Sequence, residues 1–486
     1  MIDICIVMIC MEYNYIKEKR KKYKISQTKL AEASGYSKAQ VSSWELVKSV
    51  PSESQLQVLS DALEKLIFDI ESQVNDVRKK RITKTNTVKK NLPKIIKNKN
   101  DYENLCRNIN RTSKNSYKKE LTELYKKSKE EKTNDAPTAI ALFSGCGGLS
   151  LGFAAEGFDL VGHVEIEESA NRIYEDNFAD SDLLGTDIRK ITDEEIESWK
   201  NKYGDIDVII GGPPCQGFSL AGKRDPNDMR NELYTYYVHV VSKVKPKVFV
   251  MENVRLLTSM KTTEGNLFID DIVSAFGKEG YSIYRNEINA ADYGVPQSRE
   301  RVILIGVRDD INDPFIFPNQ TNTSSEQQNL FSLERQLTFR DATSDLETLE
   351  SGDISSDPLH WCITHPEHVI NWLKDVPEGM SAHDNENPNL RPPSGFNTTY
   401  KRIKWDEPCS TISTNFSMIS GCRNVHPTST RSLTIREATR VQSFPDEFVF
   451  EGKWGDIRKA IGNAVPPLLA QVIAHAIKIQ YFKNKK

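Results

Sequence analysis

The segment Gly211-Gly212-Pro213-Pro214-Cys215-Gln216-Gly217-Phe218-Ser219 sets one thiol on a stiff loop directly after the apolar run Val208-Ile209-Ile210. A β-branched run ending in two glycines reads as a buried strand followed by a sharp turn. Two prolines then fix the backbone, so the Cys215 side chain is aimed. In an α/β sheet the loops at the carboxyl ends of strands gather ligands and reacting groups, and a thiol held there is a candidate nucleophile. Glu252 and Asn253 follow a second apolar run, Val248–Met251, and so emerge on the same edge. A carboxyl group facing a nucleophile away from water can stay protonated and donate a proton, although the same pair also suits the start of a helix. Gln297-Ser298-Arg299-Glu300-Arg301 enters another strand. Alternation puts Arg299 and Arg301 on one face, where they suit a phosphate, a carbonyl or acid partners.

A second group of residues has the spacing of a nucleoside site. The run Ala139–Phe143 reads as a strand and is followed by Ser144-Gly145-Cys146-Gly147-Gly148. Glycines let the backbone pass close to a ligand before a helix begins. Glu165 closes the next strand, Leu160–Val164, about twenty residues on, where an acid accepts from ribose hydroxyls. Asp187 follows Leu183-Leu184-Gly185-Thr186 and could accept from an adenine amino group. Cys146 reads as a small packing residue.

These residues need a scaffold that delivers them to one edge. Short β runs alternate with helical stretches from Thr138 to about Arg308, which implies a doubly wound, mostly parallel sheet. Residues from 311 to about 430 break that pattern and are rich in Asn, Ser, Thr and Pro. His360, His365 and His368 fall close together there, without the cysteine partners that would favour a metal site. Helical order returns at Thr434–Ser443 and again from Pro466.

The amino-terminal part differs in kind. Ile16–Tyr23 reads as a basic amphipathic helix; Ser26 opens a second, with Leu30 and Ala31 inward; Gly35 marks a turn. Ser37 caps a third helix carrying Ala39, Val41 and Trp44. Gln55–Leu66 sets Leu56, Leu59, Leu63 and Leu66 in helical register. Two short helices about a glycine turn form a helix-turn-helix, whose second helix enters the DNA major groove. Ser37, Lys38, Gln40 and Ser43 are the polar groups that would reach DNA there. From Arg78 to Lys132 there are 19 Lys and Arg against 6 acids, in a chain whose net charge is -3. Residues 75–135 thus read as a basic, flexible linker with at most one exposed helix, from Glu120 to Lys132.

Eight cysteines without a Cys-x-x-Cys pair argue against disulfides and structural zinc and for a reducing compartment. The apolar stretch Ile4–Met11 is too short to span a bilayer and makes a poor signal peptide. The composition is that of a soluble intracellular protein of several domains.

Taken in order, Phe-Ser-Gly-Cys-Gly-Gly, Glu165, Asp187, Gly-Pro-Pro-Cys-Gln-Gly-Phe-Ser, Glu252-Asn253-Val254, Gln297–Arg301, Arg436–Pro445 and Ile461-Gly462-Asn463-Ala464-Val465-Pro466-Pro467 resemble the DNA (cytosine-5)-methyltransferase family over residues 138–480. The segment Ser26–Glu45 resembles the phage-repressor (Cro/C1-like) helix-turn-helix family. The first resemblance implies a Rossmann-like α/β methyltransferase domain at 136–310, a target-recognition domain at 311–445 and a returning carboxyl-terminal segment at 446–486. The second implies a DNA-binding domain at 1–74, which either regulates its own system's genes at an operator or adds DNA affinity. Cys215 would attack carbon 6 of a flipped-out cytosine in duplex DNA, with Glu252 donating to ring nitrogen 3 and Arg299 and Arg301 completing the catalytic set. S-adenosylmethionine would be the methyl donor, leaving S-adenosylhomocysteine, with no metal. By the same resemblance Phe143, Gly145, Cys146, Gly147, Gly148, Glu165, Asp187, Pro213, Asn463 and Val465 line the donor site. Gln216, Ser219 and Thr411 join the DNA contacts. A monomeric catalytic unit in a prokaryotic cytoplasm, away from membranes and paired with a cognate restriction endonuclease, completes the expectation. A transcriptional regulator with an inactive methyltransferase body is the alternative. A tRNA methyltransferase of the same fold is disfavoured because no Cys-Phe-Thr occurs.

Overall fold

The structure is a computed structural model describing residues 16–17, 19–21, 25–46, 49–52, 54–67, 115–214, 232–262, 265–324 and 333–482. The expectations for Cys215, Gln216, Ser219 and most of the basic linker therefore lie outside the described residues. The chain divides into two units, Met1–Leu92 and Pro93–Lys486.

In the first unit, α1 spans Gln27–Ser34 and α2 spans Lys38–Glu45. Ser26 caps α1 by accepting from the Lys29 amide, and Gly35 ends it at φ 74°. Ser37 and Gln40 form a reciprocal capping box at the start of α2. Residues 54–67 are helical, and Leu56, Leu59 and Leu63 join Ile16, Leu30, Val41 and Trp44 in one core. Ala39 is exposed, because the buried stripe of α2 runs through Val41, Trp44 and Glu45. Glu45 is buried against Arg20, with Nε to Oε1 at 2.8 Å, and this pair ties the first helical segment to α2.

The second unit opens with α3, Ser116–Ser128. This corrects the expectation of an exposed helix at the end of a flexible linker. Tyr117, Leu121 and Leu124 sit in the main core, and Tyr117 donates to the Arg440 carbonyl at 2.9 Å. The apolar residues recur at i, i+4 and i+7, a stripe hidden in the sequence by the surrounding lysines.

The sheet then builds as β1 (Thr138–Leu142), α4 (Gly148–Ala155), β2 (Asp159–Val164), α5 (Glu168–Asn177) and β3 (Asp182–Gly185). It continues as α6 (Asp193–Tyr203), β4 (Val208–Gly211), α7 (Leu233–Val244), β5 (Val248–Val254) and α8 (Phe268–Lys278). β6 (Tyr281–Asn289), the two-residue β7 (Gln297–Ser298) and β8 (Glu300–Arg308) follow. Seven strands form one sheet in the order β3-β2-β1-β4-β5-β8-β6. The first five are parallel, while β8 runs antiparallel to both β5 and β6. β3 and β6 were not foreseen: β3 has exposed or half-buried residues, and β6 lacks an unbroken apolar run.

Beyond the sheet, β9 (Asn322–Thr323) pairs with β10 (Glu334–Arg335), followed by α9 (Phe339–Thr343), α10 (Glu367–Leu373) and β11 (Cys409–Ser410). Much of this region packs into the main core through Phe339, Leu359, Ile412 and Phe416. A separate small core joins Val369, Leu373, Val376, Ala382, Ile419 and Val425. The chain returns through α11 (Ile435–Val441), α12 (Trp454–Asn463) and α13 (Pro467–Tyr481). The stretch Trp454–Tyr481 has the length and hydropathy of a membrane span, yet it is two helices divided before Pro467, and most of it is buried in the fold.

Candidate active site

Parallel pairing in register is what assembles the site. Leu142 lies opposite both Val164 and Gly211, Val164 opposite Gly185, and Gly211 opposite Met251. The loops after β1 through β5 therefore leave from one edge of the sheet. Antiparallel β8 begins at that edge, with Arg301 opposite Val254. Residues spread over 160 positions of sequence meet there because of strand direction.

The glycine loop leaves β1 through Phe143, which takes the left-handed conformation at φ 52°. A bulky residue rarely adopts it, and such strain persists where the surroundings over-determine the backbone. Glu165 is 8% exposed and clamps this loop: Oε2 accepts from the Gly145 amide and Oε1 from the Glu167 amide, both at 2.8 Å. Burial raises its pKa above the ordinary carboxylate value, and the two amides oppose that shift. Ser144 Oγ is buried with no hydrogen-bond partner among the described residues, and a Cβ at Gly145 would meet nothing within 4 Å. An unpaired hydroxyl beside open backbone fits a polar ligand such as a nucleoside.

Cys146 is 1% exposed, and its thiol points to the Ala460 carbonyl at 3.6 Å. Burial pushes its pKa up to about 12, so it stays a neutral packing group. Asp187 caps a short 3-10 turn and pairs in bidentate fashion with Arg189, both contacts at 2.8 Å. That hydrogen bonding lowers its pKa and keeps it an acceptor. The end of the chain closes the loop from behind. A Cβ on Gly148 would lie 2.3 Å from the Val465 carbonyl, and one on Gly152 would lie 2.4 Å from the Gln471 amide nitrogen. Bare glycines let α13 lie against α4. Val465 is buried there and Asn463 is exposed.

The second half of the site surrounds the start of the Cys215 loop. Asn253 is buried, and its Nδ2 donates to the Pro213 carbonyl at 2.9 Å. Glu252 pairs with Arg301, Oε1 to Nε at 2.7 Å, with both side chains nearly buried. Its other oxygen lies 2.9 Å from where a Cβ on Gly212 would stand. The carboxyl group is thus held against Gly212, the residue immediately before the diproline. Glu252 and Asn253 belong to the strand itself, so the alternative of a helix start does not hold.

Arg299 parts company with Arg301. It is 1% exposed and donates to the carbonyls of Ile412, Gly462 and Ala464 at 3.0 to 3.1 Å. Burial, then the neighbouring Arg301 charge, lower its pKa well below the usual guanidinium value. Its Nε has no partner among the described residues. Thr411 is exposed and donates to the Ser298 carbonyl at 2.8 Å, beside β11, which pairs with β7.

Sequence reasoning missed the charged floor under this region. Arg436 pairs with Asp357 at 2.6 Å, and Arg440 pairs with Asp446 at 2.7 Å and with Asp345 at 2.6 Å, both arginines 0% exposed. Lys118 of α3 adds a third cation 3.3 Å from Asp446. Gln442 donates to the Ile461 and Ala464 carbonyls, and Gln297 bonds to Gln442. The density of charged and amide residues in Arg436–Gln442 was the available signal. The three histidines of the middle region have other partners: His360 bonds to Thr434 and Glu347, His365 accepts from the Ser432 amide, and His368 packs on Trp372.

In the first unit Ser37 and Gln40 spend their side chains on the capping box, and Ser43 Oγ bonds to Ser49 Oγ at 2.8 Å. Ser37, Lys38 and Gln40 are exposed, and Ser43 is half-buried.

The profile of C-5 cytosine-specific DNA methylase matches residues 137–479, and a helix-turn-helix profile matches residues 16–67. Type II methyltransferase M1.HphI of Haemophilus parahaemolyticus is 37% identical over 343 residues, covering 70% of this chain and 86% of its own. Type II methyltransferase M.DdeI of Desulfomicrobium norvegicum is 33% identical, covering 71% of this chain and 89% of its own. A solved structure described as a prophage-encoded DNA modification methyltransferase (E. coli) superposes with a TM-score of 0.54 at 26% identity, covering 71% of this chain and 99% of its own.

Proposed function

This chain belongs to the C-5 cytosine-specific DNA methylase family and methylates carbon 5 of cytosine in DNA, and from that premise we propose how its residues divide the work. The observation that carries the reading is the Glu252–Arg301 pair set against Gly212 and Pro213, at the strand edge where the glycine loop also ends.

Pyrimidine carbon 5 is a poor nucleophile, so a temporary covalent bond lowers the barrier. The target atom is inaccessible inside a duplex, so the nucleotide is flipped out. The Cys215 thiolate adds to carbon 6, and Glu252 delivers a proton to nitrogen 3. The electron pair displaced from the ring double bond is then available at carbon 5. S-adenosylmethionine, when bound, supplies an electrophilic methyl group. After transfer a water takes the carbon 5 proton, the bond from carbon 6 to sulfur breaks, and the nitrogen 3 proton returns to Glu252. Arg301 holds the Glu252 carboxyl group, which enters the step in its acid form, in place, and Asn253 holds the loop that bears Cys215. Arg299 is a positioning residue that joins the 412 and 462–464 backbones.

Glu165, the Ser144 hydroxyl and the Gly145–Gly148 backbone would hold the donor's nucleoside, with Asp187 beside the adenine and Val465 behind the loop. Residues 311–445 carry target recognition. In the setting of the type II relatives, methylation protects host DNA from a cognate endonuclease. The helix-turn-helix unit binds operator DNA through the exposed face of α2, on which Lys38 is an exposed cation.

Tritiated methyl donor should label duplex DNA and not tRNA. Cys215→Ser should abolish transfer while donor binding persists; retained turnover refutes the assigned nucleophile. Removing residues 1–75 should leave methylation measurable and abolish promoter binding; loss of all methylation would overturn the regulatory reading.

A further inference from the structure

Phe396 is the most exposed large apolar side chain among the described residues, at 80%. Its neighbours Ser394, Asn397 and Thr398 are exposed as well. The loop is nevertheless fixed. The Thr399 amide and hydroxyl both donate to the Phe396 carbonyl, at 2.8 and 2.9 Å. Gly395 sits at φ 126° with His383 Nε2 3.1 Å from where a Cβ would stand. Tyr400 takes φ 50° and packs edge-on against Trp372 at 5.6 Å, on the small core built from Val369 to Val425. A ring presented to solvent on an anchored, strained loop is a mark of a contact surface.

The charge around it identifies the partner. Between Asn387 and Arg436 the only carboxylates are Asp406 and Glu407, in a chain that carries 68. Those two are paired with Arg340 and Lys404. Arg391, Lys401 and Arg423 are exposed on the same stretch. Exposed Asp384 and Glu386 border the loop on the turn that packs against Thr399 and Tyr400, but from Asn387 onward the exposed charge is mainly cationic, which suits a polyanion. It is also continuous with the active edge. The Tyr400 amide donates to Ile419, Asn424 donates to the Thr411 carbonyl, and β11 runs beside β7 next to Arg299. Cations alone hold phosphates, whereas an aromatic ring adds a stacking surface for bases or a wedge between base steps.

We propose that Phe396 stacks within the bound duplex and sets how tightly the target-recognition face grips DNA. This rests on the DNA methylation reading above. The test uses the full chain and a short duplex bearing the sequence found by bisulfite sequencing of DNA from expressing cells, with 2-aminopurine placed at successive positions. Besides the rise at the flipped-out position, wild type should change the fluorescence at one further defined step. Phe396→Ala should lose that second change and keep the first, weaken DNA binding about tenfold and raise KM for DNA while kcat stays within about twofold. Phe396→Trp should restore binding and Phe396→Leu should not. Unchanged affinity and fluorescence in Phe396→Ala would overturn the proposal and leave the face to a protein partner; so would equal rescue by Leu. If the wild type fails to methylate the duplex, the underlying reading fails instead.

Discussion

Gly212 has no room for a side chain, because a Cβ there would press on the Glu252 carboxylate from 2.9 Å. Gly212→Ala should leave the fold intact and lower kcat by about tenfold or more, as the carboxylate is driven off its line to the base. A melting curve and single-turnover kinetics separate the two effects, and an unchanged rate would mean that Glu252 does not act from this position. Glu252→Gln keeps the shape and removes the transferable proton. It should cost about 10²- to 10⁴-fold in kcat with donor affinity preserved, read by equilibrium binding. The legible part was the placing of the carboxyl groups: Glu252 and Glu165 stand at strand ends, as expected, while Cys215 lies outside the described residues. The supporting partners were not legible. That Arg301 meets Glu252 while Arg299 turns to three carbonyls depends on the crossing of β7, β11 and α12, and alternation along one strand does not encode it.

Among the elements, α4 decides how the glycine loop is backed. It lies between α3 and α13, and its glycine face admits the α13 backbone. Gly152→Ala would force a Cβ to within 2.4 Å of the Gln471 amide nitrogen and 2.6 Å of the Ala470 carbonyl carbon. Neither backbone atom can yield alone, so α13 must shift. Overpacking of this kind costs about 1–3 kcal/mol. Thermal denaturation should show the loss, with donor affinity falling in parallel; a melting temperature equal to wild type would mean that the two helices are looser than described. Four of the five parallel strands were readable because buried parallel strands are continuous apolar runs, whereas β3 has no buried residue. α3 was expected as an exposed helix starting at Glu120 because its three inward residues are scattered among lysines and acids. Lys118 itself is drawn inside by Asp446, so charge did not mean exposure there.

Across the whole molecule, buried titratable groups fix the pH range of stability. Burial lowers His163 and His365 to about 4 and His426 to about 3. Below the unfolded histidine value of about 6.5 the open chain takes up protons that the folded one refuses, so stability falls as pH drops from 6.5 towards 4. Burial alone would raise Asp446, but Arg440 and Arg436 overcome it and hold this carboxyl well below its usual range. Its contribution is present above the unfolded aspartate value and is lost only in stronger acid. Urea melts at pH 7, 5 and 4 should show a progressive loss on the order of 1–3 kcal/mol per histidine over that span; a flat profile would contradict the burial of these rings. The join of α13 to the glycine loop also has a consequence for the order of events at the ribosome. The helix-turn-helix core ends at Ile67, whereas the helix that backs the glycine loop begins at Pro467 and is translated some 400 residues later. Domains mature from the amino end during translation. Each nascent molecule thus completes its helix-turn-helix unit well before it is equipped to modify a base.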